Sequence, residues 1–118
     1  MAGGEGSRLR PLTLNMPKPL VPINGDPAMT HILRLLHTHG VREAAVTLHF
    51  MGDMISSRYG ESAEGIRLRY YYEGSPLGTA GSVRAASGFC AGESDPFIVI
   101  SGDAVCETDL GAAVDFHI

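Results

Sequence analysis

The clearest helical spacing in the chain lies a quarter of the way along it. Met29, Ile32, Leu33 and Leu36 fall at i, i+3, i+4 and i+7, which predicts a helix over about Ala28–His39, and Gly40 stands where a left-handed cap would end it. Ala44–His49 (AAVTLH) then reads as a short buried strand, and Gly52–Arg58 as a short helix. Ile66–Tyr72 alternates aliphatic and Arg before its three tyrosines, the period of a strand with one covered face. The small residues of Gly78–Ser87 predict another helix. Phe97–Ile100 (FIVI) is a continuous apolar run, the pattern of a parallel strand buried on both faces. A last helix is predicted from near Asp109, through Leu110, Ala113, Val114 and His117.

Helices alternating with short apolar strands predict an α/β fold, Rossmann-like, with a mostly parallel sheet and flanking helices. A chain of 118 residues is the size of one domain, so residues 1–118 are taken as a single unit. Both ends are expected to be cut. A glycine loop normally follows a strand that positions it, yet only Met1 precedes Ala2-Gly3-Gly4, and the chain stops inside the last amphipathic stretch. The chain alone is therefore expected to be incomplete and inactive by itself.

Between residues 2 and 27 no period holds. Glycines stand at 3, 4, 6 and 25 and prolines at 11, 17, 19, 22 and 27, and ordered irregular segments of that length are usually functional. Its glycines let backbone N–H groups approach phosphate oxygens closely. Arg8 offers a planar fork for phosphate, whereas Lys18, the only lysine in the sequence, offers a point charge held between prolines. A Rossmann fingerprint would need glycine where Leu9 stands, and a Walker A loop would need Gly-Lys-Ser/Thr around Lys18. Neither fits.

Two later segments carry candidate chemistry. Glu73-Gly74-Ser75-Pro76-Leu77-Gly78-Thr79-Ala80-Gly81 is a turn from strand to helix. Ser101-Gly102-Asp103 follows the FIVI run. A carboxylate at the C-terminal end of a parallel strand faces the crevice where ligands bind, and its hard oxygens suit Mg²⁺ shared with phosphates. Taken alone, Asp103 reads equally as a turn or helix-capping residue.

AGGEGSRLRPLT, PKPLVP, EGSPLGTAG and SGD, in this order, together resemble the sugar-1-phosphate nucleotidylyltransferases (the NDP-sugar pyrophosphorylases). The stretches TLHF and FIVISGD are most similar to the mannose-1-phosphate guanylyltransferases among them. Ser7 stands where that family more often has Thr. The resemblance implies transfer of a nucleotidyl group from an NTP, GTP favoured, to a sugar-1-phosphate, mannose-1-phosphate favoured. It implies catalytic roles for Arg8 and Lys18, and Mg²⁺ on Asp103. It also implies a nucleotide site formed by Ala2, Gly3, Gly4, Gly6, Ser7, Glu73, Pro76 and Gly78, with Glu73 reading the base. The sugar-binding segment and a second metal carboxylate are expected beyond Ile118. The rival readings are a non-catalytic relative that binds a nucleotide sugar as a regulatory subunit, and an inactive fragment.

Composition narrows the partners. A net charge of −4 argues against nucleic acid or an anionic membrane as a partner. No apolar run approaches the roughly 20 residues that span a bilayer. Cys90 and Cys106 lack metal-type spacing and read as free thiols, so a cytoplasmic location is expected, with homo-oligomerisation left open. His31, His37, His39, His49 and His117 share no motif, and Tyr70–Tyr72 reads as strand packing.

Overall fold

The computed structural model describes residues 1–90 and 96–118. Its centre is a parallel pair, β3 (Glu43–Leu48) and β5 (Ile66–Tyr72), in register from Glu43 opposite Arg67 to Leu48 opposite Tyr72. A short antiparallel strand, β4 (Ser62–Ala63), completes the order β3-β5-β4. This is the expected α/β arrangement.

Helix α1 (Ala28–Thr38) covers one face, as its spacing requires. Met29, Ile32, Leu33 and Leu36 are buried in one cluster with Val46, Leu48, Ile66 and Leu68, and each such side chain contributes about 1.5–3 kcal/mol when fully withdrawn from water. Gly40, with φ +87°, ends α1 as expected, and Val41 N donates back to Leu36 O at 3.0 Å. Ile55 and Tyr59 of α2 (Gly52–Tyr59) close the same core, where the Tyr59 hydroxyl meets Thr30 Oγ1 at 2.9 Å. Helices α3 (Gly78–Ala85) and α4 (Leu110–His117) begin where predicted, and Asp109 caps α4 by accepting from Ala112 N at 3.0 Å.

Two hairpins were not foreseen. Strands β1 (Pro22–Ile23) and β2 (Asp26–Pro27) are joined by Asn24 (φ +52°) and Gly25 (φ +90°). The β4–β5 turn is made by Glu64 (φ +50°) and Gly65 (φ +78°). Both are two-residue loops with positive φ at each central residue, the form whose twist matches its strands.

The predicted strand Phe97–Ile100 is a correction. The segment is not in a strand, and Phe97 and Val99 are 59% and 46% exposed instead of covered on both faces. A strand exists only where a neighbour satisfies its backbone, and among the described residues the pairing here is confined to Met1. The Met1 amino group donates to Ile100 O (2.9 Å), and Gly102 N donates to Met1 O (2.7 Å). On the other side of the same residues, Ala2 N donates to Thr47 O at 2.9 Å. Residues 1–3 thus run between the end of β3 and residues 100–102. Alongside the earlier part of both segments lies an apolar cavity of about 480 Å³, walled by Ile32, Val46, Phe89 and Ile98.

Among the described residues no helix is long and apolar enough to cross a membrane. Cys90 and Cys106 are both free thiols, as expected.

Candidate active site

The glycine-rich segment passes beside the end of β3, to which Ala2 N is bonded, and turns on Gly6. Its φ is +61°, and a Cβ there would lie 2.8 Å from Thr13 Cγ2 and 3.1 Å from Lys18 Cβ. Only glycine satisfies both conditions. Thr13, 1% exposed, latches the turn by donating from Oγ1 to Gly6 O at 2.7 Å. Gly3 is also tight, because its Cβ would stand 3.2 Å from His49, whereas Gly4 faces open space. A single 3₁₀ turn, Ser7–Leu9, then carries Arg8 outward into solvent.

The prolines act on Lys18 as the sequence suggests. Pro17 and Pro19 are buried, and a 3₁₀ turn over Lys18–Leu20 is closed by Leu20 N on Pro17 O at 2.9 Å. From this anchored turn the Lys18 ammonium pairs with Asp103 Oδ2, while Ser101 Oγ donates to Asp103 Oδ1 at 2.6 Å. Partial burial works against the charged form of Asp103. The hydrogen bonds from Lys18 and Ser101 outweigh it, so the carboxyl is held below its ordinary range.

On the opposite side, Glu73 ends the path from β5 into the turn before α3. Glu73 N donates to Leu48 O at 2.7 Å, and His49 Nδ1 donates to Glu73 O at 2.9 Å. The residue is 9% exposed, yet its Oε1 has no hydrogen-bond partner among the described residues. An unpaired buried acceptor costs about 1–3 kcal/mol, a cost relieved by any ligand that brings a donor. Gly78, at φ +68°, starts α3 with open space at its Cβ position.

Every residue singled out from the sequence lines one cavity of about 450 Å³: Ala2, Gly3, Gly4, Gly6, Ser7, Arg8, Lys18, Glu73, Pro76, Gly78 and Asp103. Cations and Asp103 stand with the glycine loop, and the Glu73 carboxylate belongs to the turn before α3. The larger apolar cavity beside residues 97–100 has no such convergence of polar groups. Thr13, His49 and Ser101 had no individual role in the sequence reading. All three lie inside stretches that carry the resemblance, but nothing local pairs His49 with Glu73, which is brought to it only by strand pairing. Tyr70 and Tyr72 spend their hydroxyls on Gly60 O (2.7 Å) and Ser56 Oγ (2.8 Å), consistent with packing.

Among the described residues no group of three His, Cys, Asp or Glu side chains could hold a metal on its own. A lone carboxylate fits Mg²⁺ that keeps waters and shares substrate phosphates, and does not fit an all-protein cage.

A glycine loop, Arg8, Lys18 and the Asp103 carboxylate thus meet on one cavity of an α/β fold. The chain belongs to the nucleotidyl transferase family, whose model matches residues 1–118. It is 38% identical, over 119 aligned residues, to the mannose-1-phosphate guanylyltransferase catalytic subunit beta of Xenopus tropicalis, covering 99% of this chain and 33% of that protein. It is 35% identical to the mannose-1-phosphate guanylyltransferase of Mycobacterium tuberculosis, covering 99% and 32%. The chain thus spans about a third of the length of these relatives. The crystal structure of HddC from Yersinia pseudotuberculosis complexed with GMP-PN superposes with a TM-score of 0.85 at 30% identity, over 99% of this chain and 52% of that one. UDP-glucose pyrophosphorylase complexed with UDP-glucose superposes at 0.81 over 98% and 50%, at 18% identity, a likeness of fold.

Proposed function

We propose that the chain is the nucleotide-binding part of an enzyme that transfers a nucleotidyl group from GTP to a sugar-1-phosphate, mannose-1-phosphate in the first instance. A phosphate oxygen of the sugar phosphate attacks the α-phosphorus in line. The α–β phosphoanhydride bond breaks and pyrophosphate leaves. No protein nucleophile is needed, so the chain's tasks are positioning and charge neutralisation. Arg8 grips the departing β,γ-phosphates, and Lys18 offsets charge where the two phosphates meet. The glycine loop brings its backbone against the nucleotide, with Ser7 donating a hydroxyl. Pro76 and Gly78 shape the turn over the base. Asp103 would hold Mg²⁺, which when bound supplies further positive charge to the phosphates.

The observation that carries this reading is Glu73 Oε1, buried and without a partner among the described residues, in the same cavity as Arg8 and Lys18. Guanine offers N1–H and N2–H₂ side by side, which one carboxylate accepts together. Uracil and thymine offer a single N3–H between two carbonyl oxygens that a carboxylate repels. A buried polar group that is satisfied by one base and left unpaired by another is the usual source of strong discrimination.

The full-length enzyme tests this through kcat/KM for GTP, ATP, UTP and dTTP with mannose-1-phosphate. Wild type should favour GTP, and Glu73→Gln should lose on the order of tenfold or more of that preference. A wild type that prefers UTP or dTTP overturns the base assignment. An unchanged preference in the variant removes Glu73 from base reading.

A further inference from the structure

Both Asp103 oxygens already carry a hydrogen-bond donor. Ser101 occupies Oδ1 and the Lys18 ammonium occupies Oδ2. This pair is not a chance meeting of two long surface side chains. Lys18 rises from a 3₁₀ turn fixed by two buried prolines. Asp103 follows Gly102, whose N–H is bonded to Met1 O and whose Cβ position lies 3.1 Å from that same oxygen. Backbone on both sides is anchored, so the ion pair is preorganised. Arg8, by contrast, makes no salt bridge among the described residues and stands exposed on the same cavity.

We propose that Lys18 has a role before chemistry: it is the counter-ion that keeps a divalent cation off Asp103 until nucleotide phosphate draws the ammonium away. The inference rests on Asp103 being the metal carboxylate of the proposed function. An ammonium on that oxygen repels a hydrated divalent ion and crowds its approach, so the two compete for the carboxylate. Without phosphate, the metal must displace a bound cation from a partly covered site and gains one carboxylate in return. With phosphate, Lys18 acquires a more highly charged partner in the same cavity, and Asp103 is released for the metal. Linkage makes this reciprocal, so phosphate raises metal affinity by the same factor by which metal raises phosphate affinity. The protein thereby takes up metal and nucleotide together.

Mn²⁺ binding followed by electron paramagnetic resonance, with no nucleotide present, reads the device directly. Lys18→Met should bind Mn²⁺ about tenfold more tightly than wild type, within the usual range of coupling between sites. Lys18→Arg, which keeps a cation against the carboxylate, should stay near wild type. Adding Asp103→Asn to Lys18→Met should abolish the gain. If Lys18→Met unfolds by circular dichroism, Lys18→Gln carries the same expectation. A Lys18→Met protein that binds Mn²⁺ no better than wild type overturns the counter-ion role. The metal reading fails separately if Asp103→Asn leaves Mn²⁺ binding unchanged in protein loaded with a non-hydrolysable GTP analogue.

Discussion

Replacing Gly6 by alanine should damage fold and site together, and the size of the effect can be worked from the loop. Gly6 sits at φ +61°, a conformation that costs an L-residue about 1–2 kcal/mol. The new methyl would also meet Thr13 Cγ2 at 2.8 Å. Thr13 cannot rotate away, because it is β-branched, buried, and held by its hydroxyl on Gly6 O. Relieving that contact adds about 1 kcal/mol or more, giving about 2–3 kcal/mol in all. For a domain near this size, each kcal/mol shifts Tm by about 4–8 °C, so Gly6→Ala should melt about 10–20 °C lower. Gly4→Ala is the matched control. Its Cβ meets nothing within 4 Å and its φ is not positive, so Tm should hold while affinity for a GTP analogue falls. Differential scanning calorimetry and calorimetric titration measure the two. A Gly6→Ala protein with wild-type Tm would refute the steric argument, and Gly4→Ala with wild-type affinity would remove the loop from the nucleotide.

Arg8→Ala should cost the full-length enzyme on the order of 10²-fold or more in kcat/KM, the usual loss for a contact that strengthens with developing charge, without moving Tm, since Arg8 is exposed. A loss within about threefold would remove it from the leaving group. The acid limb of stability should report Asp103. Its folded carboxyl lies below the ordinary 3.8, so its contribution is fully present above about pH 4 and disappears as pH falls through the lower folded value. Urea midpoints of wild type and Asp103→Asn should differ by a constant amount above that pH and converge below it. A difference unaffected by acid would contradict the pairing.

Local patterning made α1 and β5 legible, because burial of Ile32, Leu36, Ile66 and Leu68 follows directly from residue spacing. The Asn24-Gly25 hairpin was equally available, since that dipeptide is the strongest short hairpin signal. FIVI was over-read for a physical reason. An apolar run states what a segment would bury and is silent on whether a neighbour runs beside it. The chemistry-bearing residues could be named because their motifs are contiguous. What no motif carries is the joinery: His49 reaches the Glu73 carbonyl only because β3 and β5 end side by side, and Lys18 meets Asp103 across the fold.

The parallel ladder gives β3 two unlike edges. Arg67 N takes Arg42 O and Glu73 N takes Leu48 O, so even-numbered backbone groups turn toward β5. By alternation the odd-numbered groups turn away, as Thr47 O does toward Ala2. Glu43 and Ala45 therefore direct their amides at the apolar cavity, next to the exposed side chains of Phe97 and Val99. Local opening will start along that flank, while the β5 side stays shut. Both the glycine loop and Asp103 are tethered through Met1 and Ala2 at the end of this flank. Loosening there reaches the Arg8, Lys18 and Asp103 side of the cavity first and the Glu73 side last, so the two halves of the cavity differ in stiffness.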